Sequence, residues 1–256
     1  MSWVLMRDSS RLRAIVLWLI AATLAVFTLF PGIDPAVSAL FWSGSRFAVN
    51  SNQTIETLRY GLWNLTLMTF AIVLAGLIRA AIRAQNVAHL PVHIWAFFSA
   101  TFAVGPGLVV NLLLKEHWGR ARPFQTTLFG GEKHFTPPWD MTDQCLRNCS
   151  FVSGEVAGTT ALAVVMVVAA WHLRAHLSRL SFLTLVIVAP LLVVLSALQR
   201  ISAGRHFLSD AILAALFTLL IAVQMYRWIV ERGGPRRALI RWGASLHRFL
   251  LGRERV

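Results

Sequence analysis

The chain has 256 residues, 57% of them hydrophobic and 14% charged, with a formal net charge of +13. Soluble domains carry about 25% charged residues, so this shortfall excludes an ordinary water-soluble globule and points to one compact membrane domain. The basic residues sit at the ends of apolar runs rather than in a solvated module, which excludes a nucleic-acid partner and leaves membrane topology and an anionic lipid surface as their purpose.

Six apolar runs follow one another, each close to the roughly 20 residues that a helix needs to cross a bilayer. Helices are expected because lipid cannot satisfy an open backbone. The first run, 14–30, is preceded by Arg7, Arg11 and Arg13, as in a signal peptide. No small-residue cleavage site follows, only Phe30-Pro31-Gly32-Ile33-Asp34, so a retained signal-anchor helix is expected. The second run is 62–78. The third, 94–114, contains Gly105-Pro106-Gly107, and the fifth, 182–198, contains Pro190, so both should bend. The fourth is 156–171 and the sixth 211–230. The expected architecture is all-α: a six-helix transmembrane domain over residues 1–231, then a basic tail, 232–256. In the tail Leu239, Ile240, Trp242, Leu246, Phe249 and Leu250 fall between arginines, a spacing that suits an amphipathic helix on an anionic leaflet.

Lys and Arg near the span ends set orientation. Fifteen basic residues and three acids fall on the side that holds both termini, nine basic residues and eight acids on the other. Both termini are therefore expected in the cytoplasm. The opposite face carries the loop between the third and fourth runs, where Cys145 and Cys149 meet an oxidising compartment and are expected to close a small disulfide loop. No second Cys or His pair accompanies them as a zinc site would require.

Ionisable residues at membrane depth are candidates for function, and three clusters fall on that same outer side. One ends the third run: Lys115-Glu116-His117-Trp118-Gly119-Arg120-Ala121-Arg122-Pro123. One leads into the fourth: Cys149-Ser150-Phe151-Val152-Ser153-Gly154-Glu155. One joins the fifth to the sixth, from Arg200 to Asp210. Lys115, Arg122 and Arg200 supply three cations able to converge on one anion, the arginines as bidentate forks and the lysine as a point charge. The Ser153 and Gly154 N–H groups open a helix, where an anion is favoured. The ligand implied is phosphate. His206 and Asp210 lie four residues apart, so on one helical face Asp210 can hold the imidazole in one tautomer while the other ring nitrogen attacks phosphorus. Glu155 is placed to protonate the departing alkoxide.

These clusters resemble the signature of the type 2 phosphatidic acid phosphatase superfamily, which includes lipid phosphatases and vanadium haloperoxidases and reads K-x6-R-P, P-S-G-H, S-R-x5-H-x3-D. Lys115, Arg122 and Pro123 match the first part. Ser153 and Gly154 match the core of the second. Arg200, His206 and Asp210 match the third at full spacing. The resemblance implies that Lys115, Arg122, Ser153, Gly154 and Arg200 bind phosphate and that His206 becomes a phosphohistidine oriented by Asp210. Water then hydrolyses this intermediate, with no metal or other cofactor. Gln199 stands where the family has Ser, a change expected to be peripheral. Val152 and Glu155 replace the Pro and His of the second part, so the family's proton donor is missing. Glu155 is the first substitute, with His117 and His134 in the outer loop as reserves.

The run from Asn148 to Glu155, with Cys145, resembles the lipid A phosphatase branch. That resemblance implies a multi-pass enzyme of a Gram-negative inner membrane with its site facing the periplasm. Its partners would be the bilayer and a phosphorylated lipid, lipid A being favoured. Undecaprenyl diphosphate, phosphatidylglycerol phosphate and phosphatidic acid remain alternative substrates, and a lipid phosphotransferase or a non-catalytic phosphate-lipid binder or transporter remain alternative functions. The segment Phe135-Thr136-Pro137-Pro138-Trp139 is expected either as an apolar lip at the headgroup plane or as loop packing.

Overall fold

The computed structural model describes residues 9–47, 49 and 52–234. The tail from 235 onward, including the expected surface helix, lies outside the described residues. Among the described residues, six helices are long and apolar enough to cross a membrane: α1 (Ser9–Leu29), α3 (Gln53–Arg83), α4 (Val92–His117), α5 (Gly154–His172), α6 (Arg179–Ser202) and α7 (Leu208–Glu231). A short helix, α2 (Ile33–Ala39), follows α1. All six expected spans are present. The largest difference is α3, which starts nine residues before its apolar run because the side chain of Asn52 caps it, accepting the Ile55 N–H at 3.1 Å. That extension carries Glu56 and Arg59 on helix rather than loop.

The bundle has an inner and an outer layer. In α5, 67% of the apolar window is buried, against 11% in α1 and in α6. The sequence of α5 explains its place. Gly154, Ala157, Gly158, Ala161 and Ala163 keep its surface low, so neighbouring backbones can approach it closely. A β-carbon on Gly158 would come within 3.1 Å of Thr66 on α3. α5 packs against α3, α4, α6 and α7, while α1 leans on α7. The outward faces keep large apolar side chains such as Trp18, Leu29 and Leu180 exposed, as a lipid-facing surface requires.

The Gly105-Pro106-Gly107 segment does not break α4. Residues Ala103–Leu114 wind as π-helix, and the Asn111 amide donates to the Pro106 carbonyl at 2.7 Å. Pro190 lies within the continuous α6. At the end of the bundle where α4 and α6 finish and α5 and α7 begin, loops pack over a small core of Phe47, Phe129 and Phe207. Gly204 makes this possible: it has φ of +62°, and a β-carbon there would collide with the Phe47 ring. The Phe135–Trp139 segment is loop packing. Phe135 meets Phe207 edge-on at 5.2 Å, and the Pro138 carbonyl accepts the Trp118 indole N–H at 2.8 Å.

Candidate active site

The three clusters, far apart in sequence, meet at one end of the bundle around a polar cavity of about 330 Å³. Lys115 reaches it from the last turn of α4, Arg122 from the loop beyond, Arg200 from the last turn of α6, and Arg205 and His206 from the turn into α7. α3 adds Glu56 and Arg59, the outer loop adds Asn148, and the first turn of α5 adds Glu155. Among the described residues, five cations and two carboxylates thus line one chamber. In such a site guanidinium forks can take phosphate oxygens without rearranging the fold.

Three of these cations are held by side-chain hydrogen bonds. Arg122 Nη2 donates to the Asn148 carbonyl at 2.7 Å. Asn148 belongs to the loop closed by the Cys145–Cys149 disulfide, and the Cys149 N–H donates to the Lys115 carbonyl at 3.1 Å. Glu155 Oε1 accepts from Arg59 Nη1 at 2.9 Å and from Arg200 Nη1 at 3.0 Å. Glu155 therefore stands in the chamber as an ion-paired anchor for two guanidiniums. Gln199 is not peripheral. Its Oε1 accepts from Arg200 Nε at 2.6 Å while its Nε2 donates to Glu56 Oε1 at 3.0 Å, so the amide joins two cavity residues as a serine hydroxyl could not at that reach.

His206 is buried and lines the cavity. Its Nδ1 lies 2.7 Å from the Ser150 carbonyl, an acceptor only, so Nδ1 carries the proton and Nε2 keeps its lone pair. Burial, then Lys115, Arg122 and Arg200, push its pKa well below the ordinary 6.5, which leaves the imidazole neutral. The expected direct bond from Asp210 to His206 is replaced by an indirect link. Asp210 Oδ2 accepts the Ser150 hydroxyl at 2.6 Å and the Phe207 N–H at 2.9 Å, clamping the residues on either side of the imidazole. The reason is local: Asp210 is the third residue of α7, where a carboxylate turns back to the free N–H groups of the helix start.

Ser153 and Gly154 are buried at the start of α5, where the Ser153 N–H donates to the Asp210 carbonyl at 3.3 Å. Ser153 caps α5, its hydroxyl accepting the Val156 N–H at 3.4 Å. A β-carbon on Gly154 would lie 2.7 Å from Asn111 Oδ1 and 3.4 Å from Lys115 Nζ, so glycine is what lets the lysine sit against the helix start. His117 is exposed and bonded to the Leu113 carbonyl at 2.9 Å, and His134 is exposed. Neither lines the cavity, so neither is in place as a proton donor. Sequence reasoning passed over Glu56, Arg59, Asn148 and Arg205. For Glu56 and Arg59 a signal existed: two opposite charges three residues apart just ahead of an apolar run. Among the described residues no cluster of three or more His, Cys, Asp or Glu side chains is arranged to hold a metal ion.

A second cavity, about 310 Å³ and mostly apolar, adjoins the first between α3, α5 and α6. Leu58, Leu62, Trp63, Leu192 and Leu195 line it, and it shares Arg59 and Glu155 with the polar chamber. A molecule with a charged head and an apolar body could occupy both.

The model of the PAP2 superfamily matches residues 95–233. The chain is 32% identical to the lipid A 4'-phosphatase of Rhizobium leguminosarum over 228 residues, covering 81% of this chain and 91% of that one. It is also 32% identical to the lipid A 4'-phosphatase of Rhizobium etli, over 81% of this chain and 83% of that one. The enzyme of that name from Francisella tularensis subsp. novicida is 36% identical over 51% of this chain and 58% of its own length. The crystal structure of a transmembrane PAP2-type phosphatidylglycerolphosphate phosphatase from Bacillus subtilis superposes with a TM-score of 0.51 at 20% identity, covering 83% of this chain and 93% of that one. The bundle, the convergent cations and these matches together establish that the chain belongs to the PAP2 superfamily.

Proposed function

We propose that this protein is a membrane lipid phosphatase that hydrolyses a phosphate monoester, with lipid A as favoured substrate and the 4'-phosphate as the group removed. The observation that carries this reading is the pair of adjoining cavities, one polar and cation-lined, one apolar, meeting at Arg59 and Glu155. A soluble phosphate ester needs only the first, whereas a phosphorylated lipid uses both. The relatives' names supply the lipid, and the family supplies the reaction.

In the mechanism that fits, Lys115, Arg122 and Arg200 take the phosphate oxygens and His206 Nε2 attacks phosphorus. The N–P bond forms as the ester P–O bond breaks. Glu155, released from Arg200 by the incoming phosphate, takes up the proton of the monoanionic phosphate ester and gives it to the departing alkoxide. A water then attacks the phosphohistidine, Glu155 takes the water's proton and passes it to the leaving phosphate, and inorganic phosphate departs with His206 neutral and Glu155 again paired with Arg200. The cations stabilise the charge of the transferring group, so no metal is required. The charge asymmetry of the loops supports placing the cavity at the periplasmic face of an inner membrane.

The test is turnover by purified protein on lipid A in excess EDTA, with products read by mass spectrometry. The expected product lacks the 4'-phosphate, and vanadate should inhibit. Failure to dephosphorylate any lipid, or activity lost in EDTA and restored by magnesium, would refute the reading.

A further inference from the structure

Behind the cavity lies a cluster of charges that the mechanism above does not use. Arg120, Asp34, Ser209, Asp210 and Ser150 are all fully buried. Asp34 belongs to α2, outside the stretch that the family model matches. Arg120 Nη2 donates to Asp34 Oδ2 at 2.8 Å, and Arg120 Nη1 donates to Asp210 Oδ1 at 2.6 Å and to Ser209 Oγ at 2.9 Å. Asp34 also accepts the Ser209 N–H at 2.9 Å and the Ser209 hydroxyl. The Arg120 guanidinium lies 4.4 Å over the ring of Phe207, the neighbour of His206.

Two routes lead from Arg120 to the imidazole. Its backbone carbonyl accepts the Ser150 N–H at 2.9 Å. Its guanidinium fixes Asp210, whose other oxygen holds the Ser150 hydroxyl and the Phe207 N–H. Ser150 in turn presents the carbonyl that takes the His206 Nδ1 proton. A buried guanidinium between two carboxylates is costly to form and has few alternative arrangements once formed. It therefore behaves as a rigid mount. When Nε2 bonds to phosphorus while Nδ1 keeps its proton, the ring becomes cationic, and the Asp210 carboxylate, linked to it through Ser150, favours that state.

We propose that Asp34 and Arg120 are positioning residues of the nucleophile: through Asp210 and Ser150 they hold His206 as the Nδ1–H tautomer with Nε2 facing the phosphate. This rests on the reading of His206 as nucleophile. It makes α2, outside the recognised signature, part of the catalytic architecture.

The test uses full-length purified protein and the variants Asp34→Asn, Arg120→Lys and Ser150→Ala. Single-turnover formation of phosphohistidine is followed on p-nitrophenyl phosphate, affinity is read from inhibition by inorganic phosphate, and the His206 tautomer is read by nitrogen-15 NMR of histidine-labelled protein, assigned with His206→Ala. None of the three residues lines the cavity, so phosphate inhibition should stay within about twofold of the parent. Phosphohistidine formation should slow roughly 10- to 100-fold, the usual cost of losing an outer-shell partner or misplacing a reacting group. The His206 signal should change from a single Nδ1–H form to a mixture of tautomers. Ser150→Ala removes one hydroxyl and keeps the backbone, so it reads the same link if the charge variants fail to fold. An unchanged rate of phosphohistidine formation in folded Ser150→Ala, or an unchanged tautomer in any folded variant, overturns the proposal. Absence of phosphohistidine in the parent would instead mean that the nucleophile reading itself has failed.

Discussion

Replacing Glu155 by Gln separates the anchoring seen in the structure from the proton donation proposed for the same side chain. Glu155 Oε1 holds Arg59 and Arg200 with charge-assisted bonds of 2.9 and 3.0 Å, and its side chain is 23% exposed. Glutamine keeps an acceptor oxygen but loses the charge. A charge-assisted bond contributes about 1 kcal/mol more than a neutral one. Two such bonds, discounted for partial exposure, give about 1–2 kcal/mol of looser anchoring. At about 1.4 kcal/mol per factor of ten, that is roughly a 5- to 30-fold loss. It should appear chiefly in KM, equally for lipid and aryl phosphates, because both need Arg200. Loss of the proton donor is a separate effect. It should lower kcat on lipid by roughly 10²–10⁴-fold, yet hardly at all on p-nitrophenyl phosphate, whose leaving group needs no proton. Glu155→His should recover part of the lipid activity. The assay is full kinetics of both variants on both substrates across pH. Equal kcat losses on the two substrates would refute the general-acid role and leave Glu155 as an anchor alone.

His206→Ala should abolish turnover and phosphohistidine trapping under an acid-free quench while phosphate binding persists; substantial residual activity would remove the nucleophile assignment. Because burial and three cations hold the His206 pKa well below 6.5, its neutral, reactive form persists on acidification. Activity is therefore expected to hold through pH 6.5 and fall only at distinctly lower pH. This is measured as kcat/KM on an aryl phosphate, corrected for the substrate's own ionisation near about pH 6, and an acid limb at 6.5 would contradict the burial. Reducing the Cys145–Cys149 bond, or replacing both residues by Ser, frees the loop whose Asn148 carbonyl holds Arg122. KM should rise by up to about tenfold, the scale of one charge-assisted hydrogen bond, with a smaller change in kcat. Arg59→Ala should weaken lipid turnover more than aryl phosphate turnover, since Arg59 stands where the two cavities meet; equal effects would place it outside the lipid path.

Much of this molecule was readable one dimension at a time. Span count and helical class follow from hydropathy, because the bilayer demands long apolar runs and closed backbone hydrogen bonding. Lys115, Arg122, Arg200 and His206 stood out because charge at a span end is costly enough to need a reason. What sequence could not reveal depends on which side chains meet across helices. Asn52 extended α3 and so delivered Glu56 and Arg59 to the cavity. The carboxylate of Asp210 turned to Ser150, Phe207 and Arg120 rather than to the imidazole four residues before it. Asp34 and Arg120, 86 positions apart, formed a fully buried ion pair. Each of these is settled by burial and hydrogen-bond competition in three dimensions. A side chain's partner is whichever unsatisfied group the packed fold brings within reach, and spacing along the chain does not encode that.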